Sequence, residues 1–428
     1  MRIRIQPGAL QGTLAAPPSK SMAHRAVICA ALARGHSRLH GLEYSQDINA
    51  TIGAMRQLCA RIASQGDTLA VEGLGGWATV TRPVDCCESG STLRLLWPLF
   101  TLTNQKITFI GRGKLMQRPL SVYEDIAASQ KLRFARDAAA GTVSVWGQLR
   151  PGVYELPGNV SSQFISGLLL ALPLLEQGSV IRITPPFESR SYVQLTLAAM
   201  QAFGVTALWQ NETTLVVPGG QKYCPVEDYT VEGDYSNAAF WAVYGAVRGG
   251  ITLTNLPADT LQGDAVILDI LRQSGARFTR EGDAVAFEAA QLRGFTADLA
   301  DCPDLGPILM VLGALAMGET TLKNAGRLRL KESDRIAAME AELRKFGVEI
   351  HSTGDTVTVR GTTAAGLHAP TEPLCAHNDH RVVMSLTVLA LAGGFEAEIE
   401  DAQAVQKSWP AFFEAAAALG AQVRACHE

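Results

Sequence analysis

Leu271-Arg272-Gln273-Ser274-Gly275-Ala276-Arg277-Phe278 ends an amphipathic helix at a glycine and opens a strand. Gly282-Asp283 then turns the chain into a second strand, Ala284-Val285-Ala286-Phe287. The pattern returns in residues 343–350, where Gly354-Asp355 and then 356–359 follow. It also occurs in residues 55–62, followed by Gly66-Asp67 and 68–71. Each unit stops a helix at a glycine-like position, which suits a C-cap because glycine tolerates positive φ, and then makes a hairpin at a Gly-Asp turn.

Working outward, the equivalent positions are Cys59, Lys131, Gly204, Gly275, Gly347 and Gly420, at successive intervals of 72, 73, 71, 72 and 73. Five agreeing intervals predict six units of roughly 70 residues. A helix with one hairpin cannot bury its own apolar face, so the units must pack together. Three units per domain give two α/β domains of similar size, and the cleft between them is the expected ligand site. Residues 230–234, mid-chain and before a new helix, are a plausible crossing point.

Size and composition agree with this plan. The chain has 428 residues, too many for one ordinary core, and 47% of them are hydrophobic against 18% charged, so a large buried core is expected. A net charge of -4 gives no support to nucleic acid or an anionic membrane as partner, and an anionic substrate would need a local basic cluster. The eight cysteines contain no CxxC pair, which points to reduced thiols and a cytosolic setting. Met1 to Gly8 reads as a strand and a turn without a signal peptide's apolar core. The most apolar stretches, 167–175 and 309–317, are too short to span a bilayer and read as buried helices.

Three runs of small residues precede apolar helices: Pro17-Pro18-Ser19-Lys20-Ser21-Met22-Ala23-His24-Arg25, Glu88-Ser89-Gly90-Ser91-Thr92-Leu93-Arg94, and Gly158 through Ser161-Ser162-Gln163. Each alone is an N-cap with solvated neighbours. Helix N-termini also bind anions through amides that lack intrahelical acceptors, and three of them in one chain favour phosphate or carboxylate. Basic residues recur beside similar features: Arg118 before Pro119, Lys331-Glu332-Ser333-Asp334-Arg335 opening a long helix, Asn378-Asp379-His380-Arg381 before an apolar one, and Lys407. Arginine pairs with carboxylate or phosphate in bidentate fashion, and lysine acts as a mobile charge. His380 reads equally well as structural or catalytic. No zinc spacing, P-loop or dinucleotide fingerprint occurs.

Taken in order from end to end, these segments, with Ser189, Tyr192, residues 232–234 and Pro303-Asp304, resemble the EPSP synthases. The resemblance implies a two-domain inside-out α/β barrel of six βαβαββ repeats, with the active site in the interdomain cleft. One domain would comprise 1–15 with 233–428, and the other 16–232. It implies transfer of the enolpyruvyl group of phosphoenolpyruvate to the 5-hydroxyl of shikimate 3-phosphate, a step of aromatic amino acid biosynthesis. It implies Lys20, Ser21 and Arg25 at the shikimate moiety, with Ser161, Ser162, Ser189 and Lys331 on its 3-phosphate. Gln163 and Tyr192 would lie near its ring, with Asp304 on its hydroxyls. Gly90, Arg118, Gln163, Lys407 and Lys20 would meet phosphoenolpyruvate, whose carboxylate Arg335 and Arg381 would clamp. Asp304, Glu332 and Lys20 are the implied proton-transfer groups. A cytoplasmic monomer without metal or organic cofactor is expected.

Four positions depart from the commoner family pattern: Pro18, Glu88, Leu95 and Arg327. The sister enzyme acting on UDP-N-acetylglucosamine carries Lys-Asn where this chain has Lys20-Ser21, and usually a cysteine in the loop that is 111–119 here, which has none. A catalytically silent anion-binding protein on the same fold is the other alternative. Retention of Lys20, Asp304, Glu332 and Arg381 together argues against it.

Overall fold

The computed structural model describes residues 1–426. Among them, hydrogen bonding sorts the strands into six four-stranded sheets of one plan: a parallel pair, then two antiparallel pairings. Residues 84–146 show it within one continuous segment. Val84–Asp85 runs parallel to Ile107–Ile110, which pairs antiparallel with Thr142–Trp146, and that strand pairs antiparallel with Arg133–Asp137.

Three sheets borrow a strand from a distant part of the chain. Gly12–Ala15 lies parallel to Ile251–Thr254, and Asp228–Thr230 lies parallel to Gly35–His40. Arg2–Gln6 lies between Ala397–Glu400 and Gln422–Cys426. These exchanges divide the chain into two compact units, Met1–Ser19 with the chain from Glu232 onward, and Lys20–Val231. The divisions fall at 19/20 and 231/232, where the sequence suggests 15/16 and 232/233. Within the first unit the two boundary segments pair: Ser19 N–H donates to Glu232 O at 2.8 Å, and Asp234 N–H donates to Pro17 O at 2.7 Å. Pro18 forms a bridge with Gly233 there.

Each repeat has two helices: α1 (Lys20–Leu32) and α2 (Gln46–Leu58), α3 (Gly90–Thr101) and α4 (Ser121–Ser129), α5 (Ser162–Ala171) and α6 (Arg190–Ala202) in one unit. The other has α7 (Tyr235–Arg248) and α8 (Ile267–Gln273), α9 (Gly306–Leu315) and α10 (Arg335–Arg344), α11 (His380–Gly393) and α12 (Phe412–Ala418). The first helix of each pair is apolar and buried almost all round, whereas the second keeps an exposed face. Each unit has its own hydrophobic core built on those buried helices. Truncating a wholly buried member such as Leu389 to alanine is expected to cost about 2–5 kcal/mol.

At the repeat joints, Gly204, Gly275, Gly347 and Gly420 have φ between 78° and 108°, and Lys131 adopts 57° without being glycine. Cys59 departs from the expectation: its φ is -163° and α2 runs directly into Ala60–Gln65. Glycine is obligatory where a strand end meets the end of a buried helix. A Cβ on Gly73 would lie 1.7 Å from Ala33 O, and one on Gly361 would lie 2.0 Å from Gly313 O. Among the described residues, no helix is long and apolar enough to cross a membrane.

Candidate active site

In the unit Lys20–Val231, Lys20, Ser21, Gly90, Ser161, Ser162 and Gln163 stand at the starts of the buried helices. Ser89 caps α3 by accepting from Thr92 N–H at 3.1 Å, and Ser161 caps α5 by accepting from Gln163 N–H at 3.3 Å. Gly90 is therefore the first residue of α3. A Cβ there would lie 3.0 Å from Arg118 Nη1, 3.3 Å from Arg94 Nη1 and 3.6 Å from Gln163 Oε1, so these four residues share one small region. Arg94 Nη1 donates to Gln163 Oε1 at 2.9 Å, and its Nη2 donates to Pro119 O at 3.1 Å, tying the Arg118-Pro119 turn to α3 and α5. Gln163 Nε2 donates to Ser91 Oγ at 2.9 Å.

The start of α1 forms a second group. Lys20 Nζ lies 3.1 Å from Asp47 Oδ2. Arg25 is buried and donates to Thr196 Oγ1 at 2.8 Å, Ser21 O at 2.7 Å and Tyr192 O at 2.9 Å. Burial pulls its guanidinium down to about 10, against the partial support of Tyr192. Arg25 thus fixes the backbone at Ser21 and Tyr192, so its main visible task is positional. Ser189 is buried in a left-handed conformation (φ 55°) just before α6. Ser162 is the first residue of α5.

The other unit gathers Lys331, Arg335 and Arg381 around Asp304. One carboxylate oxygen lies 3.2 Å from Lys331 Nζ and 3.1 Å from Arg335 Nη1, and the other lies 3.1 Å from Arg381 Nη2. Arg335 is held from behind, its Nε donating to Asp379 Oδ2 at 2.8 Å. Burial opposes the Arg335 charge, but Asp379, Asp304 and Glu332 outweigh it and raise its pKa. Burial also pulls Lys331 down to about 8; Asp304 opposes this, and the charges of Arg327 and Arg335 reinforce it. His380 Nδ1 is 2.7 Å from Glu332 Oε2. Buried Lys407 donates from Nζ to Asn378 O at 2.6 Å, just before α11.

Some local expectations change. The segment from Lys331 to Ser333 precedes its helix, because Asp334 is the N-cap and α10 begins at Arg335. His380 and Arg381 lie inside α11, capped by Asp379, whose side chain accepts from Arg381 N–H at 2.9 Å. Asp379, Arg94, Asp47 and Asp264 are additions to the sequence-derived set. Arg94 had a signal, being a charge inside an apolar helix run. Asp379 had one too, as an N-cap between two basic segments. Asp264 is buried, with its carboxyl pushed up to about 7 by burial and then by Asp304, against Arg381. Nothing local in sequence marks it.

The ligand atoms of Glu332, Asp379 and His380 lie within 4.8 Å of one another, a spacing that could hold a cation. Arg335 supplies positive charge to both carboxylates of that group. Of the four departures, Leu95 is a core residue and Pro18 belongs to the bridged boundary segment. Glu88 packs its carboxylate on Gly113 in the 111–119 loop, where an added Cβ would sit 2.5 Å from Oε2.

The sequence model of the EPSP synthase (3-phosphoshikimate 1-carboxyvinyltransferase) family matches residues 5–416. The chain belongs to the EPSP synthase family. It is 38% identical over 421 residues to a 3-phosphoshikimate 1-carboxyvinyltransferase of Clostridium kluyveri, covering 98% of each chain. It is likewise 38% identical over 431 residues to one from Clostridioides difficile, again covering 98% of each. A solved EPSP synthase from Acinetobacter baumannii aligns with a TM-score of 0.80 at 25% identity, covering 99% of this chain and 100% of that one. The two-domain inside-out α/β fold of the EPSP synthases is the fold of this chain. As a member of the EPSP synthase family, it transfers the enolpyruvyl group of phosphoenolpyruvate to shikimate 3-phosphate.

Proposed function

We propose that the residues at the helix starts of both units act together on one phosphoenolpyruvate and one shikimate 3-phosphate, by addition followed by elimination. In the first step the 5-hydroxyl oxygen bonds to C2 of phosphoenolpyruvate, C3 gains a proton and the hydroxyl loses one. In the second, the C2–O bond to phosphate breaks and C3 gives up a proton, which restores the double bond. An acid near C3 and a base near the hydroxyl serve the addition, and the C3 transfer runs backward in the elimination.

The observation that carries this reading is the Asp304 carboxylate shared by Lys331, Arg335 and Arg381, a base among three cations. Cations in that number suit two polyanions that would otherwise repel each other. Asp304 takes the 5-hydroxyl proton, and Glu332 and Lys20 serve C3. Arg335 and Arg381 hold the donor carboxylate, with Lys407, Gly90, Arg118, Gln163 and Lys20 on the rest of the donor. Ser161, Ser162, Ser189 and Lys331 hold the acceptor's 3-phosphate, with Lys20, Ser21, Arg25, Gln163 and Tyr192 around its ring and carboxylate. All eight cysteines are free thiols, which supports a reducing, cytoplasmic setting.

The test is phosphate release from phosphoenolpyruvate with shikimate 3-phosphate, comparing the wild type with Asp304→Asn. Loss of a positioned general base is expected to lower kcat about 10²–10⁴-fold. A variant that keeps wild-type kcat sinks the assignment of Asp304.

A further inference from the structure

A line of buried hydroxyls runs from α1 to the cap of α3, and the proton-transfer chemistry does not use it. His24 Nδ1 is 2.8 Å from Thr51 Oγ1, and Thr51 Oγ1 is 2.8 Å from Thr92 Oγ1. Thr92 Oγ1 is in turn 2.8 Å from Ser89 Oγ and 3.3 Å from Asp47 O. All four side chains are at most 1% exposed, so bulk water does not replace a lost partner. The line ends at the two features that flank the donor. Ser89 caps the helix that begins at Gly90, and Asp47 holds Lys20 through its carboxylate.

We infer that the His24–Thr51–Thr92–Ser89 line is a positioning device for the phosphoenolpyruvate-binding end of α3, and that His24 and Thr51 are positioning residues for that substrate. This rests on the reading that Gly90 and Arg118 meet the donor phosphate.

The physical reason lies in the cap. A helix N-terminus binds an anion only if its first amides point at it, and the cap sets their direction. Ser89 Oγ accepts from both the Thr92 amide and the Thr92 hydroxyl, so the Thr92 side chain fixes the cap's orientation. The Thr92 hydroxyl is fixed in turn by Thr51, and Thr51 by His24. Burial, and then the charges of Lys20 and Arg25, push the His24 imidazole well below its ordinary pKa, so it is neutral. A neutral ring offers one donor and one acceptor nitrogen. Its Nε2 has no hydrogen-bond partner, so Nδ1 alone anchors the line. If Nδ1–H donates to Thr51, each hydroxyl in the line can donate onward toward Ser89.

The experiment compares Thr51→Val, Thr51→Ser and His24→Leu with the wild type, measuring KM for each substrate, kcat and Tm. Valine keeps the shape of threonine and removes the hydroxyl, whereas serine keeps the hydroxyl and removes the methyl. Thr51→Val and His24→Leu are each expected to raise KM for phosphoenolpyruvate about tenfold, the effect of one buried hydrogen bond lost. KM for shikimate 3-phosphate should change less than about twofold. Thr51→Ser should stay near wild type. The double variant should be little worse than either single one, because both cut the same line.

If the two KM values move together, or neither moves, or Thr51→Ser fails as badly as Thr51→Val, the inference is overturned. Arg118→Gln separates this from failure of the underlying reading. An unchanged KM for phosphoenolpyruvate in Arg118→Gln removes the reading itself. A raised KM there with no change in Thr51→Val removes only the positioning device.

Discussion

Arg335 and Asp379 form a buried ion pair, Nε to Oδ2 at 2.8 Å, with side-chain exposures of 2% and 0%. The second guanidinium edge of Arg335 faces Asp304 at 3.1 Å, so one arginine joins a structural carboxylate to a chemical one. Removing one partner of such a pair leaves the other charge buried and unanswered. Asp379→Ala is therefore expected to destabilise the protein by about 3–5 kcal/mol, read by urea unfolding. Burial opposes the Asp379 charge, but the Arg335 guanidinium outweighs it and holds the carboxyl below its ordinary value. Its stabilisation is complete above the unfolded pKa of about 4, and it is lost as pH falls toward the lower native value. Asp379→Asn should flatten that acid slope.

Gly90 gives a substrate-selective prediction. A methyl 3.0 Å from Arg118 Nη1 and 3.3 Å from Arg94 Nη1 forces both guanidiniums to give way by a few tenths of an ångström. Gly90→Ala should raise KM for phosphoenolpyruvate about tenfold while KM for shikimate 3-phosphate holds. Equal shifts in both would exclude donor contact at this residue.

Lys331 is half-buried, and its ammonium titrates at about 8 because burial disfavours its charge more than Asp304 favours it. A phosphate partner requires the protonated form. Affinity for shikimate 3-phosphate, followed by calorimetry across pH 7 to 9.5, should therefore fall as pH rises through about 8. Lys331→Arg should remove that inflection, since arginine stays charged. The stability sign is opposite. The native pKa lies below the unfolded one, so the unfolded chain binds more protons between the two values, and stability from this group rises with pH there.

The thiols sort by burial. Cys224 is exposed, and Cys87, Cys375 and Cys426 are partly so, whereas Cys29, Cys59, Cys86 and Cys302 are buried. Burial raises the pKa of all four buried thiols, Cys59 to about 12. A disulfide reagent should label Cys224 first in the native protein and reach those four only after unfolding. Fast labelling of Cys29 would contradict the burial of α1.

Much of the fold was legible in the repeat because its signals are local. A helix ends where a residue can adopt positive φ, and the hairpin after it needs a tight turn. Where that chemistry changes, the signal fails: Lys131 takes the left-handed conformation without being glycine, and Cys59 keeps the spacing without the conformation. The candidate residues were legible as basic and small residues at helix starts. Asp264 was not, because its burial beside Asp304 and Arg381 comes from segments far apart in the chain.

By itself, the sequence determined the six-fold repetition, the buried helices and the residue types gathered at their starts, because periodicity, capping and composition act within a few residues of chain. Only the tertiary structure decided that Gly12–Ala15 pairs with Ile251–Thr254 and that Asp228–Thr230 pairs with Gly35–His40, each across a long stretch of chain. It also decided that Arg25 ties together the Ser21 and Tyr192 carbonyls, that Asp304 is shared by three cations, and that His24 reaches the cap of α3 through two threonines. Strand pairing and buried polar contacts are settled by which distant groups must satisfy one another once water is excluded, and no local pattern records that.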